Sequence, residues 1–305
     1  MEREVEVEPG VHLWVQDLPA FPASPAAQAF PALHAVAHRA TEPVLLIADA
    51  DRPGPAWPDA LVDRLRTRHR VIRYDHRDTG RSTHAYDEHP YDLADLAGDA
   101  VTVLDACDVG RAHVVGMGLG GTLAQLLLLD HPDRLAGAAL LGSTALEGTD
   151  DPPLPRPARD VLRMWQEMTD PRDERGELAW RVEYRRRLHG DGLPFDGLEI
   201  RALEQDLIAH AGRSDALAVH AQADPEGLDR GDELPGITVP TLVVEAPEDP
   251  VHPPPHAEHL TARIGPAAHL VRIPGMGHAL PSSVLEPLAE LLLDHTASAE
   301  GALRR

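Results

Sequence analysis

Apolar and polar residues alternate singly at the start of the chain, with Val5 and Val7 before Pro9-Gly10 and Val11, Leu13 and Val15 after it. A period of two about a Pro-Gly turn predicts a β-hairpin. Farther on, Val44-Leu45-Leu46-Ile47-Ala48 is continuously apolar and bounded by turn formers, the pattern of a parallel strand buried on both faces. An amphipathic stretch from Pro58 to Thr67 predicts a helix, and Arg70 to Tyr74 a short strand. Leu93, Leu96, Ala100, Val103 and Leu104 recur at helical spacing within Asp92 to Cys107, and His113-Val114-Val115 is again strand-like. A helix over Leu119 to Asp130 and a strand over Ala138 to Leu141 continue the alternation. This order predicts an α/β protein with a mostly parallel sheet.

Near Thr149 the pattern changes. A proline-dense break from Asp150 to Pro157 is followed by helical patterns only: Ala158 to Met168, Glu174 to Leu188, Leu198 to His210 and Ser214 to Ala221. Strand signals return at Thr241 to Glu245 and His269 to Ile273, and a final helix is expected over Ser283 to His295. The chain therefore divides into a core of residues 1–148 and 233–305 and a helical cap of residues 149–232. Such an insertion is expected to sit as a lid over the carboxyl ends of the strands, where open α/β sheets bind ligands. Residues 19–43, rich in Pro and Ala, read as a second insertion with one short helix near Pro31 to Arg39.

Charge narrows the chemistry. Fifty acidic against 28 basic residues give a formal charge of −22, and every basic residue is arginine. Without lysine there is no phosphate loop ending in Gly-Lys-Ser/Thr and no Schiff-base chemistry. The acidic excess opposes binding to nucleic acid or to an anionic membrane, which leaves a small molecule or another protein as partner. Cys107, alone in the chain, has no disulfide partner, and its neighbours read as the end of a buried helix, so it is expected to be a core thiol. The charged N-terminus is unlike a secretory leader, and no apolar run approaches the ~18 residues of a membrane span, so a cytoplasmic protein is expected. The scattered histidines show no metal-binding spacing, and neither metal nor cofactor is expected.

The chemistry concentrates at three strand ends. His113 to Val115 runs into Gly116-Met117-Gly118-Leu119-Gly120-Gly121 and then a helix, the layout of the nucleophile elbow Gly-x-Ser-x-Gly, in which a strained turn lifts one side chain above the sheet. An acid follows the strand ending at Glu245, in Pro247-Glu248-Asp249-Pro250, and a histidine follows the strand ending at Ile273, in Pro274-Gly-Met-Gly-His278. The order is that of nucleophile, acid and histidine. The nucleophile position, however, holds Gly118.

With these segments in view, the chain resembles the α/β-hydrolase superfamily, and within it the branch of aclacinomycin methylesterase and related anthracycline-tailoring esterases. Tyr74-Asp-His-Arg-Asp-Thr-Gly-Arg-Ser82, Arg111-Ala-His-Val-Val-Gly116 and Ile273-Pro-Gly-Met-Gly-His-Ala-Leu-Pro-Ser-Ser283 carry the resemblance. It covers nearly the whole chain except residues 19–43 and weakens in the helical insertion. The resemblance implies an α/β-hydrolase fold, His278 as general base, Asp249 as the residue that orients it, and a bulky aromatic polyketide or related intermediate as substrate.

The departures are at the centre of the site. A family esterase would carry serine where this chain has Gly118, and glycine has no atom that can form an acyl-enzyme. The backbone N–H of Leu119 survives as one oxyanion donor, but the loop after the third strand, usually Gly-rich, reads Ala48-Asp49-Ala50-Asp51. An ionised Asp49 beside a developing oxyanion would oppose it. The expected site is thus His278, Asp249 and Asp49 as acid/base groups, with Met117, Gly118, Leu119, Ala50 and Asp51 around the substrate. Removing the serine side chain is expected to leave room for substrate or water next to the imidazole. The leading reading is a non-hydrolytic acid/base catalyst performing cyclisation, elimination, decarboxylation or isomerisation. A ligand-binding protein without catalysis, and a hydrolase using water activated by His278, are the alternatives.

Overall fold

The computed structural model describes residues 1–22, 41–84, 86–149, 152–214, 219–225 and 228–303. The expected short helix near Pro31 to Arg39 lies outside these residues, as does most of the 19–43 insertion.

Among these residues eight strands form one sheet: β1 (Glu2–Glu8), β2 (Val11–Leu18), β3 (Val44–Ile47), β4 (Val71–Tyr74), β5 (Ala112–Met117), β6 (Leu135–Leu141), β7 (Thr241–Glu245) and β8 (Ala268–Arg272). Their spatial order is β1-β2-β4-β3-β5-β6-β7-β8. The hairpin β1–β2 and the β2–β4 pair are antiparallel, and every pair from β4 to β8 is parallel. The helices are α1 (Asp59–Arg66), α2 (Leu93–Ala106), α3 (Leu119–Asp130), α4 (Arg159–Gln166), α5 (Glu174–His189), α6 (Gly197–Ala211), α7 (His256–Ile264) and α8 (Ser282–Leu303).

The continuously apolar strands are apolar because both faces are covered. Leu45 and Ile47 of β3 join a core with Leu96, Val103 and Leu123, while Val44 and Leu46 join a second core with Leu61, Leu65 and Leu288. Thus α2, α3 and α7 pack on one face and α1 and α8 on the other, since side chains on a strand point alternately to its two sides. Cys107 is buried at the C-terminal end of α2, as expected. Asp92 caps that helix, accepting from the Asp95 N–H at 2.7 Å while its own N–H donates back to the Asp95 carboxylate at 3.1 Å.

Among the described residues three α-helices, α4 to α6, stand between β6 and β7 where the insertion is expected. Residues 215–218 of the helix expected over Ser214 to Ala221 lie outside the described residues, and after them one 3-10 turn, His220–Gln222, is helical. Two features lie beyond the sequence reading. Helix α7 follows Pro253-Pro254-Pro255, and α8 continues eight residues past His295, where Thr296 and Ala299 are buried and Glu300 accepts from the Glu42 N–H at 3.2 Å.

The parallel register brings the carboxyl ends of β3, β5, β6, β7 and β8 level, pairing Ile47 with Gly116, Met117 with Leu141, and Leu141 with Val244. Asp49, Gly118, Asp249 and His278 all leave the sheet at this one edge.

Candidate active site

Strand β5 ends at Met117, and Gly118 turns directly into α3 with φ 53° and ψ −116°. A left-handed φ is strained for any residue with a Cβ, and it is the conformation expected of a strand-to-helix elbow. Close packing sets the rest of the turn, because a Cβ on Gly120 would lie 2.2 Å from the Ile47 carbonyl oxygen.

The loop after β3 delivers Asp49 into this elbow. Its Oδ1 accepts from the backbone N–H of Ala50 at 2.8 Å and of Leu119 at 3.0 Å. Its Oδ2 lies 3.2 Å from His278 Nε2. On the other side of the ring, His278 Nδ1 is 2.8 Å from Asp249 Oδ2, and Asp249 Oδ1 accepts from the N–H groups of Val251 at 2.7 Å and His252 at 2.9 Å. The loop carrying His278 is tied to α5 by its own N–H, which donates to the Leu188 carbonyl at 2.7 Å. The result is one continuous relay: Asp249, His278, Asp49 and the two backbone N–H groups.

Electrostatics follow from this geometry. Burial alone would push the His278 imidazolium down, but the charges and hydrogen bonds of Asp249 and Asp49 outweigh it and push the group up to about 10. For Asp49, burial favours the neutral acid, yet the His278 contact and the Leu119 and Ala50 N–H groups hold the carboxyl well below the usual range. Asp249 is likewise held down against its burial, by His278 first. The resting site is therefore an imidazolium between two carboxylates, donating to both.

Two expectations change here. The space beside the imidazole is filled by the Asp49 carboxylate, because a glycine at 118 leaves a gap that a side chain from the neighbouring loop can occupy. The Leu119 N–H is not an open oxyanion donor, because Asp49 Oδ1 already accepts from it.

A cavity of about 440 Å³ opens beside the relay. Asp49, Ala50, Asp51, Gly118, Leu119 and His278 line one wall, while Trp165, Met168, Trp180, Tyr184 and Leu207 from α4–α6 and their loops line another. Met117 lies instead on a smaller adjoining pocket of about 50 Å³, with Trp57 and Leu280. Asp51 accepts from the His220 N–H at 3.3 Å, and burial holds its carboxyl above the usual range. Trp180 and Tyr184 stack with ring centroids 5.3 Å apart, and Trp165 Nε1 donates to the Tyr184 hydroxyl at 2.7 Å. The sequence reading misses these aromatic residues and the arginines Arg52, Arg181 and Arg185 on the same cavity. A signal exists: Trp180 and Tyr184, and Arg181 and Arg185, each recur at i, i+4 on α5.

Asp249, His252 and His278 also bring three metal-ligand-type atoms within 4.8 Å of one another. Both oxygens of Asp249 are committed to hydrogen bonds, and His252 Nδ1 is 2.8 Å from the Gly142 carbonyl. With His278 an imidazolium, the trio fits a hydrogen-bonded relay better than a ligand set.

Comparison with known proteins identifies the fold family. Residues 52–281 match the family model described as the alpha/beta hydrolase fold. The chain belongs to the α/β-hydrolase fold family. As an α/β-hydrolase-fold protein it is 45% identical, over 281 residues, to rhodomycin D methylesterase DauP of Streptomyces sp. (strain C5), covering 85% of this chain and 92% of that one. It is 44% identical over the same length to rhodomycin D methylesterase DnrP of Streptomyces peucetius, with the same coverage. Among solved structures, Est816, described as an N-acyl homoserine lactone degrading enzyme, superposes with TM-score 0.69 at 26% identity over 96% of this chain and 99% of its own. A bromoperoxidase from Bacillus anthracis shares the fold with TM-score 0.73 at 18% identity, over 97% and 99%. Within the family, then, this chain is related to anthracycline-tailoring methylesterases. Among its described residues, no helix is long and apolar enough to cross a membrane.

Proposed function

We propose that this α/β-hydrolase-fold protein is an acid/base catalyst that works without an acyl-enzyme on an aromatic polyketide-like intermediate. One observation carries the reading: the Asp49 carboxylate occupies the elbow, accepting from the Leu119 N–H at 3.0 Å and facing His278 Nε2 at 3.2 Å. That is where the elbow motif would place a nucleophilic oxygen and its oxyanion contact. The kinship with rhodomycin D methylesterases and the aromatic wall of the cavity support the substrate class. Helices α4 to α6 serve in this reading as the cap, residues 149–232, that keeps water from the reacting atoms.

The ion pair supports a division of roles. Asp49 Oδ2 takes a proton from an acidic carbon or a phenol of the substrate, and the His278 imidazolium, held by Asp249, gives one to the oxygen on which negative charge develops. The substrate thereby becomes an enol, Asp49 a neutral acid and His278 a neutral imidazole. Proton transfer across the 3.2 Å Asp49–His278 contact restores both. An enol formed in this way proceeds to cyclisation, elimination or isomerisation; in decarboxylation the bond to the departing carboxylate breaks in place of the C–H bond, and the His278 imidazolium protonates the enolate oxygen that results. The imidazolium has no free lone pair with which to activate water, which disfavours a His278-driven hydrolase. A second reading, a ligand-binding protein without catalysis, is favoured by the protein's own carboxylate filling the oxyanion position.

Deuterium exchange separates these readings. Incubated in D2O with a tricyclic anthraquinone that carries a ring carboxylate and a methyl β-ketoester side chain, the protein is expected to speed label entry at the acidic carbon while the ester stays intact. Asp49→Asn and His278→Gln should each lower the rate by about 10²-fold or more. Binding of the probe without exchange would favour the ligand-binding reading, and release of methanol would overturn both.

A further inference from the structure

Four arginines and two glutamates meet in and behind the cavity wall formed by α5 and α6. Glu204 is completely buried and lies 3.0 Å from Arg52, 3.2 Å from Arg185 and 3.5 Å from Arg181. Glu177, also buried, lies 2.9 Å from Arg181 and 3.4 Å from Arg172. Among the described residues of this cluster four cations face two anions, although the chain as a whole carries −22.

The arginines are not equally satisfied. Arg181 also donates to the Ser214 carbonyl, and Arg172 to the Met168, Asp170 and Glu167 carbonyls. Among the described residues, by contrast, Arg52 donates only from Nη1, to Glu204. Among the described residues Arg185 is held to an acid only through its buried Nε, 3.2 Å from Glu204 Oε1 in an ion pair without hydrogen-bond geometry, and its guanidinium stands over the Tyr184 ring at 5.0 Å. Arg52 and Arg185 are also the two that line both the 440 Å³ cavity and the 50 Å³ pocket, and Asp49 and His278 line both as well. Burial, and then the like charge of Arg185, push Arg52 down to about 10 against the pull of Glu204. A second anion at this place would relieve that crowding.

We propose that Arg52 and Arg185 form a binding site for a carboxylate on the ligand, so that the molecule taken into the cavity is an aromatic carboxylic acid and not its methyl ester. A planar carboxylate matches the guanidinium fork, and a pair shielded from water by the cavity discriminates strongly between an anion and a neutral ester. The aromatic body then lies against Tyr184 and Trp180, and the carboxylate fixes its orientation beside Asp49 and His278. This deepens the acid/base reading by naming the substrate class, but it concerns binding alone and stands or falls separately.

Isothermal titration with anthraquinone-2-carboxylate and with its methyl ester tests the site on the full-length protein. The acid is expected to bind at least about tenfold more tightly than the ester. Arg185→Gln should bring the two affinities within about twofold, and Glu204→Gln, which removes the internal counter-ion, should tighten the acid selectively. His278→Ala should keep the preference for the acid, so loss of proton transfer and loss of this site remain distinguishable. Equal affinity of acid and ester for the unmodified protein, or no binding of the acid up to about 1 mM, would overturn the proposal, and the wild-type comparison decides it even if a variant does not fold.

Discussion

A Cβ built on Gly118 would lie 1.9 Å from Asp49 Oδ1, so the glycine at the elbow and the aspartate beside it form a single structural unit. Any side chain at 118 has to displace the carboxylate, and the carboxylate needs the bare Cα in order to reach the Leu119 N–H.

Placing serine alone at 118 is therefore expected to fail. Gly118→Ser meets both the clash and a φ of 53°, and should destabilise the protein by about 2 kcal/mol without producing methyl-ester hydrolysis. The double variant Gly118→Ser/Asp49→Ala frees the Leu119 and Ala50 N–H groups and gives His278 a hydroxyl to face. Methanol release from an anthracycline methyl ester should then appear in the double variant only. Hydrolysis by the single variant would show that Asp49 does not block the elbow.

The proton on His278 offers a direct reading of the relay. Two carboxylates push its titration up to about 10, with Asp249 contributing more than Asp49. In an imidazole NMR titration, Asp49→Asn should lower the midpoint and Asp249→Asn should lower it further. An unchanged midpoint in Asp49→Asn would remove the 3.2 Å contact from the electrostatics of the site.

How much of this is legible in the sequence depends on whether neighbours along the chain, or neighbours in space, decide the outcome. Val44 to Ile47 and Thr241 to Glu245 announce buried strands by their own composition, and Leu119–Asp130 is legible to the residue. The order of Gly118, Asp249 and His278 is likewise a property of strand ends. Helix α7 escapes the pattern although Ala257, Leu260 and Ile264 have helical spacing, because the preceding prolines and two histidines mask so short an apolar stripe. The end of α8 rests on tertiary contacts of Thr296 and Glu300 with His69 and Glu42, which no local pattern carries. Asp49 stands out from its place after β3. Its place against the Leu119 N–H follows only from the bare Cα of Gly118, 69 residues away, just as Arg52 meets Glu204 across 152 residues.

The loop after β4 supplies a test of the scaffold independent of the chemistry. Arg77 and Asp99 are both buried and joined by two hydrogen bonds, Nε to Oδ2 at 2.7 Å and Nη2 to Oδ1 at 2.8 Å. Arg77→Met leaves an uncompensated carboxylate in the core and should destabilise the fold by about 3 to 5 kcal/mol in urea titration. Combining it with Asp99→Leu should recover much of that loss. No recovery in the double variant would mean that Arg77 stabilises through other contacts, such as Glu8 at 3.2 Å.

Stability against pH follows from the same three site residues, with opposite signs. The folded state raises His278 from 6.5 to about 10, so it binds that proton more tightly than the unfolded chain does. Its contribution is complete below about pH 6.5, declines as the pH rises and is lost near pH 10, at up to about 1.4 kcal/mol per pH unit. Asp49 and Asp249 are held below their ordinary value of 3.8, so their contribution is present above that pH and fades as the pH falls through the lowered values. The pair of effects places the site's maximum contribution between about pH 4 and 6.5. Melting temperatures measured from about pH 5 to pH 10 should therefore fall more steeply for the wild type than for His278→Gln, which has no imidazolium to lose. Parallel profiles would mean that His278 does not hold its proton between the two carboxylates, and would return it to the role of a neutral base.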